Sequence, residues 1–182
     1  MKYFRIVLVL LVTSLISAFC LSLVSSLAKA RIENNEKAAI ERAIYVVAPA
    51  AKKVEEKLTA GKTIYKLYDG QGNLIGYAFL AKGYGYQGEI KIICGLDKNL
   101  EKILGIEIIA SSETPGLGAH INDNWFKKQF RGIKVLPRIV YSKRKSRQDN
   151  EIQAVSGATI SSRSVVEILN KEITKVRKIL QP

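Results

Sequence analysis

No charged residue stands between Arg5 and Lys29. The run from Ile6 to Ala28 is 23 residues long. As an α-helix it extends about 34 Å, enough to cross a hydrocarbon core of about 30 Å. Such a stretch predicts a retained membrane anchor in contact with the bilayer over residues 6–28. A cleavable signal peptide is the competing reading, because Ala28-Lys29-Ala30 has a small-x-small form. The apolar region, however, exceeds the ~7–15 residues usual in such peptides. Lipid attachment at Cys20 is disfavoured by Phe19, which stands where a small residue is required. Lys2 and Arg5 predict a cytoplasmic N-terminus, a bias that Lys29 and Arg31 on the other flank weaken.

Four of the 29 basic residues flank this segment, which leaves 25 against 16 acidic ones over residues 32–182, a net +9. The remaining length of about 150 residues suffices for one domain with a real core. Its basic balance suits anionic lipid or an acidic partner surface. Nucleic acid is not expected, because no zinc-ligand, RRM-type or basic-zipper pattern is present. The densest basic run, Lys143-Arg144-Lys145-Ser146-Arg147, reads as a solvated loop, with a docking surface as the alternative. With two cysteines (Cys20, Cys94), one histidine (His120) and no Cys-x-x-Cys, no metal site or iron–sulfur cluster is expected. If the chain moves electrons, an organic cofactor must carry them.

The pattern along the chain predicts an α+β fold: a single N-terminal transmembrane helix, then one compact domain with an antiparallel sheet and flanking helices. Residues 1–30 read as the anchor, 31–60 as a helical stalk and first domain helix divided near Pro49 and ended at Gly61, and 61–182 as the functional domain. Thr63–Tyr68 and Leu74–Lys82 flank Asp69-Gly70-Gln71-Gly72-Asn73 and predict a hairpin. Two more strands are expected over Glu89–Leu96 and Lys102–Ala110. A short helix follows over Asn122–Phe130, capped near Asn122 or Asp123, and a further strand near Ile139–Tyr141. Val165, Leu169, Ile173, Val176 and Leu180 recur at helical spacing and mark the last helix.

That helix opens on Ser156-Gly157-Ala158-Thr159-Ile160-Ser161-Ser162. Hydroxyls placed there are expected to cap the first turn, whose free N–H groups and dipole favour an anion the size of a phosphate. An ordinary capped helix is the bland alternative. Ser156-Gly157-Ala158-Thr159 resembles the attachment motif of the flavin-binding domain shared by the G subunit of Rnf ion-translocating oxidoreductases and the C subunit of the sodium-pumping NADH:quinone reductase. Glu113-Thr114-Pro115-Gly116-Leu117-Gly118 is similar to that family's loop beside the flavin, and Gly83-Tyr84-Gly85-Tyr86-Gln87-Gly88 to its glycine-rich turn. The family's motif usually begins with an aspartate where this chain has Gln153, and a histidine often precedes the loop where this chain has Ser111. The compact length favours the Rnf side of the resemblance.

The resemblance implies FMN held covalently as a phosphoester on Thr159. Ser156, Gly157 and Ala158 would lie beside the phosphate, and Glu113, Thr114, Pro115, Gly116, Leu117 and Gly118 beside the ring. Tyr84 and Tyr86 either pack between the glycine turns or stack near the flavin, the former being favoured. The implied work is electron relay inside a membrane complex that couples ferredoxin/NAD electron transfer to Na⁺ or H⁺ movement. Other membrane and peripheral subunits would be its partners, and a flavin transferase would mature it. The implied location is the cytoplasmic (inner) membrane, with the domain on the extracytoplasmic side. No paired carboxylates or nucleophile–base pair can be brought together by spacing, so catalysis by this chain alone is not expected. The alternatives are a same-fold flavin domain of another membrane redox or regulatory system, and an anchored adaptor without flavin.

Overall fold

The computed structural model describes residues 2–59, 61–144 and 148–181, and the chain divides into two compact units, Met1–Ala39 and Ile40–Pro182. The first is the larger part of helix α1 (Lys2–Val47). Its most apolar stretch has a mean hydropathy of 2.7 and none of it is buried within the chain. A helix apolar on every side suits a buried core or lipid, and this one is long and apolar enough to cross a membrane.

In the second unit the last turns of α1 lead into a five-stranded antiparallel sheet of β1 (Lys53–Thr59), β2 (Lys62–Tyr68), β3 (Leu74–Tyr84), β4 (Glu89–Asp97) and β5 (Ile103–Ser111), ordered as in the chain. The β2–β3 hairpin is set by Asp69, whose Oδ1 accepts from the N–H groups of Gln71 (2.8 Å) and Asn73 (2.9 Å). These bonds hold the carboxyl of the exposed Asp69 below its ordinary value, the Asn73 N–H contributing most. A short 3₁₀ turn (Gly118–Asn122) and α2 (Asn124–Lys128) follow. Next come the parallel pair β6 (Val140–Ser142) and β7 (Glu151–Gln153), and finally α3 (Thr159–Leu180).

The sheet is covered on both faces at β4, which explains why that strand is buried almost continuously instead of alternating. On one face Phe79, Ala81, Ile90, Ile92 and Cys94 meet Val165, Leu169, Ile173 and Val176 of α3 together with Phe126 and Phe130. On the other, Leu67, Ala78 and Ile93 meet Ala43, Ile44 and Val47 at the end of α1. Of the helical repeat read from the sequence, Leu180 alone is only partly buried.

Two expectations are corrected. The helix read through to Ala60 stops at Val47, where Pro49 disfavours helical geometry in the residue before it. Lys53–Thr59 is instead the edge strand β1, paired residue for residue with β2, and Gly61, read as a helix end, has a φ of 73° at the turn between them. Lys, Glu and Leu favour helix in isolation, but pairing to β2 overrides that preference. Strand β7, three residues long, is not expected from the sequence because it is too short to show a period. Ala60 and the Lys145-Ser146-Arg147 part of the basic run lie outside the described residues; Lys143 and Arg144 are exposed.

Candidate functional site

The three segments singled out in the sequence converge on one carboxyl group. Glu113 follows β5 and is only 6% exposed. Its Oε2 accepts from the Ser161 hydroxyl in the first turn of α3 at 2.6 Å, and its Oε1 accepts from the Gln87 N–H in the glycine-rich turn at 3.0 Å. The turn is closed by the Gly85 N–H donating to the Gly88 carbonyl at 2.7 Å. Residues 114–118 fold into a compact turn in which the Leu117 and Ala119 N–H groups both donate to the Thr114 carbonyl. Thr114, Pro115, Gly116 and Leu117 are exposed around it, while Gly118 is buried.

Two glycines are required by close approach. A Cβ on Gly85 would stand 2.1 Å from Glu113 Oε1, and one on Gly118 would stand 2.2 Å from Oε2. Gly157 has a different reason: its φ of 79° turns the chain into the helix with open space around it.

The start of α3 departs from the expected hydroxyl cap. Ala158 occupies the cap position and no side chain bonds the first turn. The bracing runs from inside the helix: the buried Ser162 hydroxyl donates to the Ala158 carbonyl at 2.9 Å and accepts from the Val155 N–H at 3.0 Å. Ser161 is likewise buried, and Ser156 is exposed. Thr159 is half-buried, and its hydroxyl enters no hydrogen bond among the described residues. The uncapped N–H groups and the positive end of a 22-residue helix sit beside that hydroxyl, a donor set that fits a phosphate ester.

Ahead of the motif, the Gln129 side chain grips the main chain of Gln153 in both directions, accepting from its N–H at 2.8 Å and donating to its carbonyl at 3.1 Å. Asn170 of α3 does the same to Ile139 at 2.9 and 2.8 Å. These amides, with Ser161 and Ser162, were not assigned from sequence, since their partners lie 7 to 48 residues away. Beside this segment a hollow of about 330 Å³ is bordered by His120, Asp123, Trp125, Gln153 and Ser156. In it His120 Nδ1 lies 2.9 Å from Asp123 Oδ2. Tyr84 and Tyr86, expected to pack between the glycine turns, are instead exposed, at 81% and 69%.

A larger hollow of about 550 Å³ lies toward the far end of α3, beside Lys62, Lys82, Glu172, Lys175 and Lys178, away from the converging segments. Burial would raise the Glu172 carboxyl, but hydrogen bonds from Lys175 and Lys62 outweigh it and hold the group below its ordinary value. Cys94 is buried in the sheet, and burial pushes its thiol far above the usual range.

A meander sheet carrying a long helix that begins with Ser-Gly-Ala-Thr defines a class, and the sequence matches the FMN-binding domain family over residues 85–174. That span includes Gly85, Glu113, Thr159 and Ser161. The chain is 30% identical to the G subunit of the Na⁺-translocating ferredoxin:NAD⁺ oxidoreductase complex of Acetobacterium woodii, over 93% of this chain and 89% of that one. It is 35% identical to the G subunit of the ion-translocating oxidoreductase complex of Methanosarcina acetivorans over 62% of this chain, a match that spans 57% of that relative. The chain belongs to the family of G subunits of ion-translocating oxidoreductase complexes. Its fold is that of NqrC from Shewanella oneidensis, with a TM-score of 0.57 at 20% identity over 69% of this chain and 67% of that one.

Proposed function

We propose that this chain is a membrane-anchored electron carrier whose FMN is attached as a phosphoester to Thr159. The observation that carries the reading is the division of labour among the hydroxyls of Ser156–Ser162. Ser161 and Ser162 are buried and bonded, whereas among the described residues the hydroxyls of Ser156 and Thr159 enter no hydrogen bond, and of these two Thr159 is the first residue of the helix. Bound there, the flavin supplies the redox chemistry. The chain's own residues would hold the phosphate at the start of α3, with Ser156, Gly157 and Ala158 letting the backbone come close. The loop from Glu113 to Gly118 would present Leu117, 55% exposed, as an apolar contact for the ring.

The relatives' activities support a place in a complex coupling ferredoxin/NAD electron transfer to Na⁺ or H⁺ movement, beside other membrane and peripheral subunits, after maturation by a flavin transferase. The apolar helix would anchor the chain in the cytoplasmic membrane with its N-terminus inside and its domain outside.

Intact mass of the full chain, purified from membranes after expression with a flavin transferase, tests this. The expected gain is FMN less one water, with in-gel flavin fluorescence, and both are lost in Thr159→Ala. An unmodified wild-type mass would overturn the reading and favour an adaptor without flavin.

A further inference from the structure

We propose that Glu113 is a positioning residue: its carboxyl is a joint that fixes the glycine turn 83–88, the loop 113–118 and the first turn of α3 at set separations. The partners are remote in sequence, Gln87 26 residues before and Ser161 48 residues after. The carboxyl is buried, and each of its oxygens takes one neutral donor from a different segment. Among the described residues no cation pairs with it. The carboxyl is therefore used for its two-acceptor geometry and not for an ion pair.

Both neighbouring segments are shaped to that geometry. Gly85 closes on Oε1 and Gly118 on Oε2, at distances a methyl group could not occupy. A shorter Asp would not reach both donors. Gln keeps an oxygen acceptor for the Gln87 N–H and turns an amide donor toward the Ser161 hydroxyl, which can accept.

The consequence lies two residues before Ser161. Residues two apart on a helix point to different faces, so holding Ser161 inward reinforces, at the first turn, the rotation that leaves Thr159 on another face. Glu113 thus helps to orient the acceptor hydroxyl of the reading above. That link to flavin is the only part of the inference that rests on that reading.

Hydrogen exchange measured by mass spectrometry on the full, flavin-free chain in detergent tests the joint directly. In Glu113→Ala and Glu113→Asp, amides of residues 85–88 and of 162–165, the first bonded N–H groups of α3, are expected to exchange on the order of tenfold faster, the loss of about one hydrogen bond. Those of β2 and β3 are expected to keep their wild-type rates, and Glu113→Gln to restore the slow exchange. With a flavin transferase present, adduct yield is expected to fall in Ala and Asp and recover in Gln. Unchanged exchange at both segments, or a uniform rise across the whole sheet, would overturn the proposal. If Glu113→Ala fails to fold, Ser161→Ala removes one arm alone and is expected to speed exchange at residues 162–165 while sparing β2 and β3; unaltered rates at 162–165 would equally overturn it. A wild-type chain that takes no flavin would sink the covalent-flavin reading while leaving the exchange result to decide the joint.

Discussion

Ser162 and Thr159 sit three residues apart and should respond in opposite ways to loss of a hydroxyl. Ser162→Ala leaves the buried Val155 N–H without its acceptor, so it is expected to destabilise the domain by about 1–3 kcal/mol in chemical denaturation. Thr159→Ala removes no hydrogen bond among the described residues and is expected to stay within about 0.5 kcal/mol of the wild type while losing the flavin adduct of the proposed reading. Glycines divide in the same way. Gly157→Ala meets only the backbone penalty of a positive φ, about 1 kcal/mol. Gly118→Ala must displace the Glu113 carboxyl and is expected to cost at least about 2 kcal/mol and to loosen the joint. The Ser156–Thr159 motif could be singled out in the sequence because it is contiguous. Glu113 could be named as part of its loop, but not as a joint, since its carboxyl acts only once a strand, a turn and a helix have come together.

Strand β1 shows where element-level reading failed. Its Lys and Glu side chains carry no period because the strand is an exposed edge, and only pairing to β2 gives it shape. The hairpin at Asp69 and the apolar repeat of α3 were legible because local chemistry and tertiary packing demand the same thing there. Helix α3 also carries a pH dependence at Glu172. Because its carboxyl is held low in the folded chain, its stabilising contribution is present above the ordinary carboxylate range and is lost as pH falls through the lower folded value. The stability gap between wild type and Glu172→Gln should therefore be open at neutral pH and close in acid, as followed by urea midpoints across a pH series. A gap independent of pH would show that Lys62 and Lys175 do not stabilise the carboxylate.

At the scale of the whole molecule, the functional domain begins earlier than composition suggests. Ala43, Ile44 and Val47 at the end of α1 cover one face of the sheet, so a chain starting at Ile40 is expected to unfold cooperatively when heated in circular dichroism. One starting at Gly61 lacks those side chains, at about 1.5–3 kcal/mol for each large one, together with β1, and is expected to lose cooperative folding. The sequence marked the apolar run and the basic balance clearly, but not this boundary, because a helix shared by two compact units shows no compositional break where its role changes. The carboxamide grips of Gln129 on Gln153 and of Asn170 on Ile139 touch peptide groups alone. The side chain at 153, outside the core, is therefore open to drift without disturbing its grip, whereas Ile139 is also held by its burial in the core. An aspartate or a glutamine ahead of Ser-Gly-Ala-Thr is the same part to the fold, and a lineage can rewrite the side chain displayed there while the architecture stays as it is.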